Sequence, residues 1–197
     1  MPDVDADPQH ETTLVDACLL AAVRQFYDCA LSWHDVERIA VAGDGVEAKA
    51  LLLHALNFDL WHHEDAVHRV GAGDHEIARR KRCIDDLNGR RCATIEDIDV
   101  TLLEGLDPNP RAPLHTETPA TVVDRLSVLA LRILHAKRAT DHHSRVVLLQ
   151  EQYDDLLGGL GELLAGLRAG TANFKVYRQF KSAGQRNYCG LFEKRET

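Results

Sequence analysis

Between residues 142 and 168 the chain carries Val146, Leu149, Tyr153, Leu156, Leu160, Leu163 and Leu167, at steps that alternate three and four. A strand turns every second side chain to the same face and cannot gather that set, whereas a helix stacks it into one seam. The same period runs through most of the chain. A first helix is expected over about 12–34, with Val15, Leu19, Ala22, Phe26 and Trp33 on one side. Gly43-Asp44-Gly45 separates it from a second, over about 46–70, whose apolar positions are Leu53, Leu56, Leu60 and Val67. Asp74 and Glu76 suit the start of a third helix, over about 75–105, which either runs through Gly89 or breaks there. Prolines 108, 110 and 113 stop it, and Thr118-Pro119 opens a fourth over about 119–139, with Thr at the cap and Pro at the first position. Between Leu126 and Leu134 that fourth helix is apolar nearly all round, which marks a central helix. The predicted fold class is all-α: a single-domain bundle of about five helices over residues 11–197, after a disordered segment 1–10. From Asn173 an irregular tail mixes Phe174, Tyr177 and Phe180 with Lys175, Arg178 and Lys181, and is expected to pack over the bundle.

The net charge of −8 repels phosphate backbones, so nucleic acid is not an expected partner. No apolar run reaches membrane-span length, and the acidic start Met1-Pro-Asp-Val lacks the pattern of a signal peptide, so a cytoplasmic protein is expected. Five cysteines (18, 29, 83, 92 and 189) without a C-x-x-C pair favour neither disulfides nor structural zinc. Of eleven histidines, His62, His63, His68, His142 and His143 are clustered, and the last two read as solvent-exposed. The seam of the fifth helix reads as packing within the bundle, with a homodimer through Val146–Leu167 as the alternative.

Two helices carry polar side chains along faces that look buried. On the second, Asn57, Trp61, Glu64 and His68 fall on one line, and His62, Asp65 and Arg69 on the next. On the third, Asp85, Asn88, Cys92, Glu96 and Asp99 make a stripe beside the apolar positions, bordered by Lys81 and Arg91. The fourth adds Glu117, Asp124, Arg125, Ser127 and Arg132. Buried carboxylates, amides and imidazoles must be paired, hydrogen-bonded or metal-bound. The plainer alternative is solvated helix faces laced by ion pairs, as Arg79–Arg82 set against Asp85-Asp86 suggests.

Several of these stretches recur in one order: Asn57-Phe-x-Leu-Trp-His-x-Glu-Asp65, Lys81-Arg-x-Ile-Asp85-x-x-Asn88, Ile95-Glu-x-Ile-Asp99, Glu117-Thr-Pro119, Asp124-Arg-Leu-Ser127 and Tyr177-Arg-Gln-Phe-Lys181. Together they resemble the bacterial family called domain of unknown function 4254, over roughly residues 45–185. The chain departs from that pattern at Gly89, Ala120 and Arg132, and keeps its acids. The resemblance brings no reaction with it.

Three functions fit the residues. The first is a metal-dependent hydrolase of a phosphorylated small molecule, similar in layout to all-α nucleotide pyrophosphohydrolases of the MazG type. In it His62, Glu64, Asp65, Glu96 and Asp99 would hold a divalent ion, Mg²⁺ or Mn²⁺ before Fe²⁺, and His62 would be ligand or general base. Asp85, Asn88 and Asp124 would orient those groups. Lys81, Arg82, Arg91 and Arg125 would neutralise phosphates, and Asn57, Trp61, Tyr177 and Lys181 would complete an anionic substrate site. The second is a carboxylate-bridged di-iron or di-manganese oxidase using His62-x-x-Asp65 and Asp65-x-x-His68, with His135 as a further ligand. The third is a non-enzymatic partner protein whose polar stripes form a buried ion-pair network that sets helix register.

Overall fold

The structure, a computed structural model, describes residues 8–71, 73–139 and 143–177. Six helices follow one another among them: α1 (Pro8–Arg24), α2 (Phe26–Trp33), α3 (Val46–Val67), α4 (Asp74–Glu104), α5 (Pro119–Arg138) and α6 (His143–Arg168). Of the segment expected to be disordered, residues 8–10 belong to α1, and 1–7 lie outside the described residues.

The expected first helix is two. Gln25 breaks it, with Gln25 N–H bonded to the Ala22 carbonyl at 3.0 Å. Partners from other helices take the carbonyls on either side of the break. The Tyr153 hydroxyl of α6 donates to the Val23 carbonyl at 2.6 Å, and the His54 ring of α3 donates from Nε2 to the Phe26 carbonyl at 2.7 Å. A helix that yields a carbonyl to a buried side chain loses little by bending there.

By contrast α4 runs unbroken for 31 residues through Gly89. It lies along α3 as a hairpin, tied by Lys49 to Asp97 at 3.0 Å and to the Thr101 hydroxyl at 2.7 Å. Arg79 and Arg80 pair with Glu76 in the preceding turn, where Asp85-Asp86 were the expected partners. Helix α5 is central, in contact with all five other helices, and buries Val122, Val123, Leu126, Leu129, Ala130, Leu131, Ile133 and Leu134. Its start is capped twice: Thr118 accepts from Thr121 N–H at 3.3 Å, and Asp99 of α4 accepts from Ala120 N–H at 2.9 Å.

The α6 seam turns inward. Leu149, Tyr153, Leu160, Leu163 and Leu167 are buried in the main core beside α1 and α5. After α6, Gly170 adopts φ +65°, with Thr171 N–H on the Gly166 carbonyl at 2.9 Å and Gly170 N–H on the Leu167 carbonyl at 3.2 Å. That reversal at a left-handed glycine turns the chain back against the bundle. It ends in one short parallel pair that no sequence alternation announced: β1 (Leu114–His115) beside β2 (Asn173–Phe174). Ala172, Asn173 and Phe174 are buried, so the start of the tail does pack on the bundle. No helix among the described residues is long and apolar enough to cross a membrane.

Candidate functional site

Where α3, α4 and α5 meet, five polar side chains form one continuous hydrogen-bonded chain. Arg91 of α4 grips Asp124 of α5 through two nitrogens, Nε reaching Oδ1 at 2.7 Å. The Asn57 amide of α3 donates both hydrogens, to Asp124 Oδ1 and to Ser127 Oγ, each at 3.0 Å. Ser127 in turn donates to His54 Nδ1 at 2.8 Å, because His54 Nε2 carries the proton given to the Phe26 carbonyl. Burial pulls the His54 pKa down to about 4, against the smaller upward pull of that carbonyl. The Asp124 contact is the main cause of a raised Arg91 pKa, so the guanidinium stays charged.

Arg91 also stands where two cavities join. One, of about 350 Å³, is walled by Asn57, Trp61, Glu64, Asp65, His68, Asn88 and Arg91 with Leu60, Val128 and Leu131. The other, of about 460 Å³, shares Arg91 and Val128 and continues past Asp124, Arg125 and Arg132 to Gln152 and Asp155 of α6. A guanidinium has five N–H donors, and Asp124 occupies two of Arg91's; the others have no protein acceptor among the described residues.

The first cavity thus gathers Asn57, Trp61, Glu64, Asp65, Asn88 and Arg91, and its neighbour adds Asp124 and Arg125. Glu64 pairs with Lys81 at 3.2 Å, both exposed, and Arg125 with Glu117 at 2.7 Å. Other expected residues fall elsewhere. Asp85 is exposed and lines neither cavity. Arg82 faces a different hollow with Asp59, His63 and Asp86. Tyr177 is 51% exposed and away from both cavities, and Lys181 lies outside the described residues.

The five expected metal ligands are not brought together. Asp99 is 2% exposed and spent on the α5 N-terminus; burial raises its pKa to about 6, opposed by bonds from Thr118 and Ala120. Glu96 is half-buried, one turn before Asp99 on α4. His62 donates from Nδ1 to the Phe58 carbonyl at 2.8 Å and lines neither cavity. Among the described residues the group of three or more potential ligands lying within 4.8 Å of one another is His34, His62 and His135. It holds no carboxylate, so the bridging acids that the two-metal oxidase needs are not in that group.

Sequence reading missed two of these positions. His54 sits one turn before Asn57 on the same line of α3, a signal that was present and weak. His34 follows α2 and meets the other histidines only through tertiary packing.

The fold and site define a class: a helical bundle with a polar chain at its centre and a guanidinium at the junction of two cavities. The chain belongs to the family described as protein of unknown function (DUF4254), whose model matches residues 47–176. No curated protein and no solved structure matches it.

Proposed function

We propose that this chain is a metal-assisted hydrolase of a phosphorylated small molecule bound in the paired cavities. The supporting observation is Arg91, held by Asp124 through two of its nitrogens and lining both cavities. A guanidinium with fixed geometry suits the oxygens of a phosphate, which it meets through parallel hydrogen bonds. Arg132 lines the second cavity and is exposed, with no carboxylate partner among the described residues, and adds a second positive charge. Glu64 and Asp65 stand on the wall of the first cavity. Mg²⁺ needs no protein cage, because one or two carboxylates, waters and the substrate's own phosphate oxygens complete its octahedron. Glu64 and Asp65 would hold such an ion, which would supply Lewis-acid activation of water. His68, rather than His62, is the imidazole on this wall and the base that would accept the proton.

The test is phosphate or pyrophosphate release from a panel of nucleoside triphosphates and sugar nucleotides, with Mg²⁺ or Mn²⁺ and with chelator. Arg132→Ala touches no part of the buried chain, and is expected to raise KM roughly 10-fold or more while the fold persists. Wild-type protein that neither turns over nor binds any phosphorylated ligand in that panel would remove this reading. The buried chain would then stand as the register-setting network of a non-enzymatic protein, a reading favoured by the hydrogen bonds that link His54, Ser127, Asn57 and Asp124 across α3 and α5.

A further inference from the structure

We propose that His34, His62 and His135 form a three-histidine site for a divalent transition ion of the Zn²⁺ kind, with imidazole nitrogens as its protein ligands. Three helices supply it: His34 follows the last turn of α2, His62 lies on α3 and His135 on α5.

The ring geometry is the first argument. The centroids are 5.1 Å apart for His34–His62, 5.7 Å for His34–His135 and 6.0 Å for His62–His135, and the planes cross at 63°, 62° and 62°. This is a near-threefold propeller. Imidazoles bound at about 2.1 Å to one tetrahedral ion put their centroids about 5–5.5 Å apart and their ligand nitrogens about 3.4 Å apart. One ligand nitrogen from each ring lies within 4.8 Å of the other two, which places all three around one point of ionic size.

Tautomers supply the second argument. His34 donates from Nδ1 to the Ala30 carbonyl at 2.7 Å, and His62 does so to the Phe58 carbonyl at 2.8 Å. Each ring has its proton fixed on Nδ1 by a backbone carbonyl, which leaves the Nε2 lone pair as the ligand atom. A backbone acceptor behind the far nitrogen is the usual support of a metal-bound histidine.

The third argument is an unmet need. His34 Nε2 and His135 Nε2 are buried and make no hydrogen bond. Orphaned polar atoms cost free energy, and phenyl rings would fill the same space beside Trp33, Phe58 and Trp61 without that cost. One ion satisfies both atoms and His62 together. Three nitrogen ligands suit Zn²⁺, Co²⁺ or Ni²⁺ better than Mg²⁺, and leave a fourth position to water. Trp61 stacks on His135 at 4.7 Å and also walls the first cavity, so the site backs directly onto it.

The experiment uses metal-stripped full-length chain titrated with Co²⁺ and then Zn²⁺. One equivalent of Co²⁺ is expected to produce the visible absorption of a four-coordinate, nitrogen-rich cobalt centre, displaced by Zn²⁺, with a rise in Tm. His34→Gln and His135→Gln are expected to lose the absorption and weaken binding beyond the ~10–100-fold that loss of an outer-shell partner costs. Glu64→Gln, in the cavity, is expected to retain it. X-ray absorption at the zinc edge needs no variant, and should count three imidazoles on the wild-type ion. Absence of the cobalt bands, fewer than three imidazoles, or binding abolished by Glu64→Gln would overturn the proposal. Loss of phosphate release alone bears on the cavity reading and leaves this one standing.

Discussion

Asp99 and His54 are both almost fully buried, and their titrations oppose each other. Asp99 has its pKa raised to about 6, so the folded state holds a proton that the unfolded chain releases near pH 4. Its contribution is most favourable below about pH 4 and is lost as pH rises through about 6. His54, lowered to about 4, is neutral when folded, while the unfolded ring is protonated below about 6.5. Its contribution is complete above about 6.5 and is lost as pH falls through about 4. Each swing is on the order of 3 kcal/mol at ~1.36 kcal/mol per pKa unit, so the two nearly cancel between pH 4 and 6. Asp99→Asn keeps an acceptor for Ala120 N–H and removes one side of the balance. Urea unfolding at pH 4.5, 6 and 7.5 should show the variant more stable than wild type at pH 7.5. It should also lose stability more steeply on acidification. Parallel pH profiles for the two proteins would contradict this.

Glycines of the same type behave differently according to the element that holds them. Gly89 lies in the middle of α4, and a Cβ there would meet no atom within 4 Å. Gly89→Ala is expected to stabilise by about 0.5–1 kcal/mol, because alanine has less backbone freedom to lose in a helix. Gly170 is the left-handed residue that ends α6, at φ +65°. Gly170→Ala is expected to destabilise by about 1 kcal/mol, since an L side chain clashes with its own backbone in that conformation. Thermal melts of both variants give the signs directly, and equal signs would contradict the reading. The same contrast explains the sequence-level ambiguity over α4. Glycine lowers helix propensity at either site, but only at Gly170 does the backbone leave the helix.

At the level of the whole molecule, the α6 seam tests where the chain spends its apolar surface. Leu160 is fully buried in the main core among residues of other helices. Leu160→Ala should cost about 2–5 kcal/mol, the transfer loss plus the cavity left behind. The urea midpoint of both wild type and variant should be independent of protein concentration. A midpoint that rises with concentration would assign the seam to association between copies.

The helical class, the central place of α5 and the inward α6 seam were legible in residue order, because helical periodicity is a local property of the chain. So was the line Asn57, Trp61, Glu64 that faces the first cavity, since neighbours at three and four residues share a helix face. The break at Gln25 was not legible: the partners that hold it open, Tyr153 and His54, are 130 and 28 residues from the carbonyls they bind. Nor was the duty of Asp99, which reads as a helix-face acid until α5 brings an unpaired N–H to it. The convergence of His34, His62 and His135 belongs to the same class. Periodicity states which face of each helix is apolar, but the rotation and depth at which three helices pack decide which side chains meet. That choice is made by side-chain volumes and buried hydrogen bonds summed over the whole core, and no local pattern carries it.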